Sequence, residues 1–249
     1  MASTAARAEH EIAHGRKLAA AGAESVWGWS TPAGQRRAAR RGQLIAQGAG
    51  LGPGALALEV GCGTGLFTAM LAATGARIVA VDISPDLLDL ARQRGLGADR
   101  VRFLLKRFED CDIDGPFDAV VGSSILHHLD LEAALGRMWA LLKPGGRFSF
   151  AEPNMLNPQI AIQKNVPFVK DLLGDSPDET AFVRWPLARL LARAGFVDVD
   201  IRPFDWLHPG MPRPLIRAAS AIGAVFERVP LVREFAGSLL IRACRPGGS

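Results

Sequence analysis

The 249-residue sequence predicts an α/β fold, a doubly wound and mostly parallel sheet of seven strands with an N-terminal helical arm and cap insertions. Three observations carry that expectation. An apolar run from Ala55 breaks into Gly61-Cys62-Gly63-Thr64-Gly65 and then into helix-compatible residues 66–73, a buried strand turning sharply into a helix. Short apolar strands alternate with helical stretches from there to about residue 151. The composition, 49% hydrophobic and 22% charged, supplies a sizeable core for a chain of this length. Two parts are expected: an arm or lid over residues 1–50, and a main domain over 51–249 with insertions at about 153–185 and 203–236.

Composition narrows the function classes. No apolar run approaches the roughly 18 residues of a membrane-spanning helix. Arg7, Glu9, Glu11, Arg16 and Lys17 break up the N-terminus, so no secretory signal is visible and a cytoplasmic protein is expected. The three cysteines, Cys62, Cys111 and Cys244, lack metal-ligand spacing and suggest no disulfide framework; no metal is expected. A net charge of +4 permits an anionic partner without demanding one. The sequence has no tyrosine, which excludes any mechanism resting on a phenol hydroxyl.

Spacing in the glycine turn separates two nucleotide-type ligands. A dinucleotide fingerprint, G-x-G-x-x-G, would place a third glycine where Leu66 stands. Here the glycines fall as G-x-G-x-G behind Glu59. The stretch Glu59-Val60-Gly61-Cys62-Gly63-Thr64-Gly65 resembles the first motif of the class I S-adenosylmethionine-dependent methyltransferases. The resemblance implies a Rossmann-like fold and a loop, Glu59, Gly61, Cys62, Gly63 and Gly65 included, that wraps the methionine half of S-adenosylmethionine. Cys62 would contribute its backbone there.

Residues 1–24 read as a mobile helical arm. An aromatic turn with Trp27 and Trp29 follows, then a helix whose Arg36, Arg37, Arg40 and Arg41 share one broad face. That face is solvated, or supplies an arginine, Arg36 the candidate, for the cofactor carboxylate, with Trp29 helping to cover the pocket; a nucleic-acid patch ranks last, since no basic-aromatic alternation continues elsewhere. A second strand, 77–81, is closed by Asp82, which is placed to accept the ribose hydroxyls of an adenosyl ligand with Ile83 beside it. Asp82 could equally belong to the helix-start signal around Ser84-Pro85-Asp86. After the third strand, 101–105, the family's usual adenine-binding aspartate aligns with Arg107, which cannot accept a hydrogen bond. Either Glu109 or Asp110 takes that role by a small shift, or Phe108 contributes its N–H alone.

The fourth strand begins near Phe117 and leads into Gly122-Ser123-Ser124-Ile125-Leu126-His127-His128, with Ser123 placed at the cofactor. This run resembles the small-molecule branch of the family. The Asn-Pro-Pro-aromatic tetrad of the nucleic-acid amino-methylating branch is absent, which points away from nucleic acid. Leu141 to Arg147 reads as a helix end and turn before a fifth strand, 148–151. A helix at 185–194, an extended stretch at 198–202 and a final strand at 237–243 complete the pattern. An apolar helix near 215–226 could be core, lid or dimer surface, so a homodimer is compatible with the sequence.

Methyl transfer from a sulfonium is an in-line displacement, and a protonated oxygen or nitrogen acceptor needs a route for its proton. His128 is the first candidate base, since histidine titrates near neutral pH. Its position resembles that of the active-site histidine of phosphoethanolamine-type methyltransferases, whose partner tyrosine cannot exist here. His127 is a second candidate, or both histidines simply pack at a helix start. Glu152, at the end of the fifth strand, either meets a substrate amine or proton or anchors the insertion. The expected activity is methylation of an oxygen or nitrogen on a small molecule, in the style of bacterial specialised metabolism. The alternatives are a lipid or membrane-held apolar acceptor, motivated by the apolar helix after Met211, and a non-catalytic cofactor-binding partner.

Overall fold

The computed structural model describes residues 4–110, 112–166, 168–169 and 180–248, with the side chains of residues 4–6 and 110 outside the description. Seven strands form one sheet in the order β3-β2-β1-β4-β5-β7-β6. They are β1 (Leu56–Val60), β2 (Arg77–Asp82), β3 (Val101–Leu105), β4 (Phe117–Ser123), β5 (Leu142–Pro153), β6 (Val197–Phe204) and β7 (Ser238–Cys244). The first five pair in parallel, while β7 runs antiparallel to both β5 and β6. The doubly wound, mostly parallel sheet read from the sequence is the one observed.

Alternation along the strands builds two cores. Ala57, Ala119 and Val121 face one side, against Ile45 and Ala46 of α3 (Pro32–Ala49), Leu71 of α4 (Leu66–Ala72) and Leu88 of α5 (Pro85–Gln93). Leu58, Val120, Phe148 and Phe150 face the other, against Leu135 and Met138 of α6 (Leu131–Leu141) and Leu187 and Leu191 of α8 (Arg184–Arg193). Strands covered on both faces are apolar throughout, which is why this sheet reads as short hydrophobic runs. The helices start where the sequence signals them. The side chains of Thr31, Ser84, Asp130 and Asn157 each accept an N–H in the first turn, and Pro32, Pro85 and Pro158 follow three of these caps.

Three expectations need revision. The fifth strand is longer than 148–151: it begins at Leu142, paired with Phe117, and its turn at Gly145 donates its N–H to the carbonyls of Arg245 and Pro246. The N-terminal segment is a docked helix rather than a free arm. α1 (Thr4–Ala21) and α2 (Ala23–Val26) lie on α5 through Leu18, Ala23 and Leu87. Gly15 allows this approach, since a Cβ there would lie 2.3 Å from Ser84 Oγ. The arginine face of α3 is only partly solvated, with Arg36 and Arg40 exposed. Arg37 pairs with Asp205 at 2.8 Å, Arg40 grips Glu227 with both terminal nitrogens and Arg41 is buried.

Both insertions leave the sheet at one edge, and the second also rejoins it there. Because β6 is parallel to β5, the segment between Phe204 and Ser238 lies at the C-terminal edge of the parallel strands, as does the segment after Pro153. Described parts of the first insertion include α7 (Pro158–Asn165) and an isolated bridge from Asn154 to Phe182; residues 170–179 and Cys111 lie outside the described residues. The second insertion carries α9 (Ile216–Phe226). Among the described residues no helix is long and apolar enough to cross a membrane.

Candidate functional site

The strand order reverses between β1 and β4, and a crevice opens at the carboxyl ends of the strands there, as open parallel sheets require. A cleft of about 310 Å³ occupies this position, lined by Gly61, Asp82, Ile83, Phe108, Ile125 and His128, among others. Gly61, which opens the glycine turn, lines it. Gly61, Gly63 and Gly65 have φ of 67°, 52° and 74°, a left-handed backbone that side chains rarely adopt. A Cβ on Gly61 would fall 2.4 Å from Ile125 Cγ1, so only glycine lets the turn come this close to the segment after β4. Gly61 and Cys62 both donate their N–H groups to Val81 O, at 2.9 and 3.0 Å, and lock the turn to the end of β2.

Asp82 stands on the wall of this cleft. Its Oδ2 accepts the Gly63 N–H at 2.7 Å and its Oδ1 accepts the Ser84 N–H at 2.8 Å. Each carboxylate oxygen keeps a further lone pair for a ligand. Burial raises the Asp82 pKa above the ordinary aspartate value, opposed by the N–H groups of Ser84, Gly63 and Ile83. Ile83 and the buried Phe108 give the same wall an apolar surface. Glu109 also lines the cleft, 3.5 Å from Arg107 Nε, and Phe108 lines it too; the Asp110 side chain is outside the described residues.

Glu59 is not at the ligand surface. It points to the α3–α4 side of β1, 2% exposed beneath the turn, with Oε2 lacking a hydrogen-bond partner among the described residues. Burial pushes its carboxyl up to about 8, opposed by Thr68 and reinforced by Asp82. The unfolded chain ionises this group from about pH 4.5, whereas the folded chain keeps the proton to about pH 8. Folding stability therefore falls as pH rises through that window. Glu59→Gln is expected to match the parent near pH 5 and to melt roughly 5 °C higher near pH 8, measured by thermal denaturation at both pH values. Cys62 is likewise buried, and burial holds its thiol well above the ordinary value, which leaves its backbone as its contribution.

The segment after β4 carries the two histidines in a 3-10 turn, Leu126–His128. Glu152 fixes it. Its Oε1 accepts the N–H groups of Ile125 and Leu126 at 2.9 and 3.0 Å, and its Oε2 lies 2.6 Å from His127 Nδ1. Both side chains are essentially inaccessible. This corrects the expectation that Glu152 or His127 meets substrate, because every oxygen of the carboxylate is engaged inside the protein. Glu152 is a positioning residue for the turn. Glu152→Ala would strand two buried N–H groups and an imidazole, and is expected to cost about 3 kcal/mol or more in chemical denaturation. His128 does line the cleft. Its Nδ1 is 3.1 Å from Glu11 Oε2, within ion-pair reach but out of line for a hydrogen bond.

Geometry also revises the expectations for Arg36 and Ser123. Arg36 turns outward and donates from Nε to Ser220 Oγ at 3.0 Å, away from the cleft. Arg41 is the arginine that reaches the strand ends, donating to Ser123 Oγ, Ser124 Oγ, Ala151 O and Ser238 Oγ. Burial lowers its pKa to about 10, so it remains charged at neutral pH. Ser123 is thus occupied by Arg41 rather than facing the cleft. Trp29 packs edge-on against Phe67 at 5.7 Å with Arg37 and Arg41 beside its ring, whereas Trp27 is the tryptophan against the glycine turn. Residues Arg7 and Glu11 of α1 complete the roof, with Arg7 Nη2 donating to His127 O at 3.2 Å. No motif marks them, although their spacing of four puts them on one helix face.

Residues 58–148 match a family described as "Methyltransferase domain". A curated relative, a ubiquinone biosynthesis O-methyltransferase of Xylella fastidiosa, is 41% identical over 98 residues, which is 38% of this chain and 40% of the relative. The chain thus spans about two-fifths of the length of the curated relatives it matches. Among solved structures, the 1,6-didemethyltoxoflavin-N1-methyltransferase of Burkholderia thailandensis, with bound 1,6-didemethyltoxoflavin and S-adenosylhomocysteine, aligns at TM-score 0.62. That alignment has 23% identity and covers 99% of this chain and 92% of that one. The [4+2]-cyclase SpnF aligns at TM-score 0.62 with 22% identity, covering 89% of this chain and 85% of that one. At these identities the structural likenesses speak for the fold.

Proposed function

We propose, from the premise that this chain belongs to the class I S-adenosylmethionine-dependent methyltransferases, that it transfers a methyl group to an oxygen or nitrogen of a small acceptor. The observation that carries this reading is the Asp82 carboxylate, held by the N–H groups of Gly63 and Ser84 on the wall of a cleft that Gly61, the first glycine of the left-handed turn, also lines. Such a wall suits S-adenosylmethionine. The carboxylate accepts from a vicinal diol, Ile83 and Phe108 offer an apolar surface to a base, and the lack of a side chain on Gly61 lets Ile125 close against the turn.

When bound, the cofactor supplies an electrophilic methyl group on a sulfonium. The chain's own residues then orient, shield and move a proton. Phe108, Ile83, Ile125 and Leu129 make the surround apolar, which favours a step in which charge at sulfur is lost. His128, lining the cleft, accepts the acceptor's proton, and the Glu11 carboxylate beside Nδ1 steadies the imidazolium that results. Glu152 and His127 hold the turn that aims His128. Residues 1–50 serve as arm and lid, α1 forming the roof, and 51–249 as the transferase domain with its two insertions. Transfer of a labelled methyl group to a panel of phenols and amines tests the reading. Titration with S-adenosylhomocysteine that shows no binding would remove its basis.

A further inference from the structure

We propose that the outward face of α9, together with the loop after it, docks on an anionic lipid bilayer. The docking stands on its own observations. Its consequence for function, an acceptor held in or at the membrane, rests on the methyl-transfer reading above.

The inner side of α9 is fully used. Ile216 is buried with Ala33 and Leu207, and Gly223 comes so near Trp206 that a Cβ on it would lie 2.9 Å from the tryptophan Cβ. The opposite side is apolar and open: Leu215, Ile222 and Val225 are 54%, 53% and 54% exposed. Beyond the helix, Leu231 is 80% exposed on a backbone with φ of 67°, a leucine presented at a loop tip. Exposed large apolar side chains gathered on one helix and the segments flanking it mark a contact site.

Charge selects the occupant. Arg213, Arg217 and Arg228 stand exposed among these side chains, and none of the three has an acidic partner among the described residues. The nearby acids are already engaged: Glu227 by Arg40, Glu234 by Arg184 and Arg233, and Asp205 by Arg37. A second copy of the chain would bring the same arginines to a two-fold interface, where like charges repel. An anionic bilayer instead gives the guanidinium groups phosphates at headgroup depth while the leucine, isoleucine and valine side chains enter the acyl boundary. The insertion lies on the sheet edge that carries the glycine turn, so a membrane on α9 would lie on the same side as the mouth of the cleft.

The test is flotation of the full chain with vesicles of phosphatidylcholine alone and of phosphatidylcholine containing about one-third phosphatidylglycerol. Flotation with the anionic vesicles only is expected. Bound protein should fall about fivefold for each arginine neutralised in Arg217→Gln and Arg228→Gln, and should also fall with Val225→Ser combined with Leu231→Ser. All four positions are exposed, and S-adenosylhomocysteine titration of each variant should match the parent, which confirms the fold. Loss of flotation with binding intact separates this proposal from the methyl-transfer reading. No flotation on either vesicle, or flotation equal in parent and variants, would overturn it. So would a concentration-dependent dimer in sedimentation velocity that the variants abolish.

Discussion

Asp82→Ala is expected to weaken S-adenosylhomocysteine binding about a hundredfold or more in calorimetric titration. The carboxylate is desolvated, so hydrogen bonds it accepts from a ligand diol are charge-assisted and poorly screened. The substitution removes both acceptors at once. It also frees the Gly63 and Ser84 N–H groups that Asp82 holds, so the glycine turn loses a tether. Asp82→Asn separates the two effects. It keeps the side-chain volume and one oxygen while losing the charge, and a loss of about tenfold is expected. A parent-like affinity in both variants would mean that the cleft's ligand is gripped elsewhere.

His128→Ala should show the reverse pattern. Turnover is expected to fall by about 10² to 10⁴, the usual contribution of a positioned general base, while S-adenosylhomocysteine affinity changes by less than about threefold. Glu11→Gln should give a milder loss of turnover, since it removes the neighbouring carboxylate but leaves the imidazole in place. Normal turnover in His128→Ala would return the histidine to a packing role.

Most of the fold was legible because it is written in short-range terms. β1, the glycine turn and β2 announce themselves through apolar runs, left-handed glycines and a terminal acid, all within 27 residues of chain from Leu56 to Asp82. β3 falls at residues 101–105, as its apolar pattern indicates. β5 was misjudged at its start because Pro144-Gly145-Gly146 carries turn chemistry. Pairing of Leu142 with Phe117 and of Gly145 with the chain after β7 overrides it, and neither partner is local.

The same distinction divides the site. Gly61 stands in a local motif and Asp82 closes the next strand, and the structure brings both to the cleft. The partner of His127 lies 25 residues away on another strand, so nothing local says that Glu152 is engaged. For the arginines, helical spacing gives a shared face but not the direction in which that face is turned. Arg36 consequently meets Ser220, while Arg41 reaches the ends of β4, β5 and β7. Gly15 is the local sign that the N-terminal helix packs closely, and its meaning emerges only beside Ser84.

The most direct test of the account is a crystal structure with S-adenosylhomocysteine. It should show the ligand between the glycine turn and α1, with both sugar hydroxyls on the Asp82 carboxylate and the sulfur facing the His128 side of the cleft. A cleft that stays closed under saturating ligand, or ligand density that avoids Asp82, would contradict it.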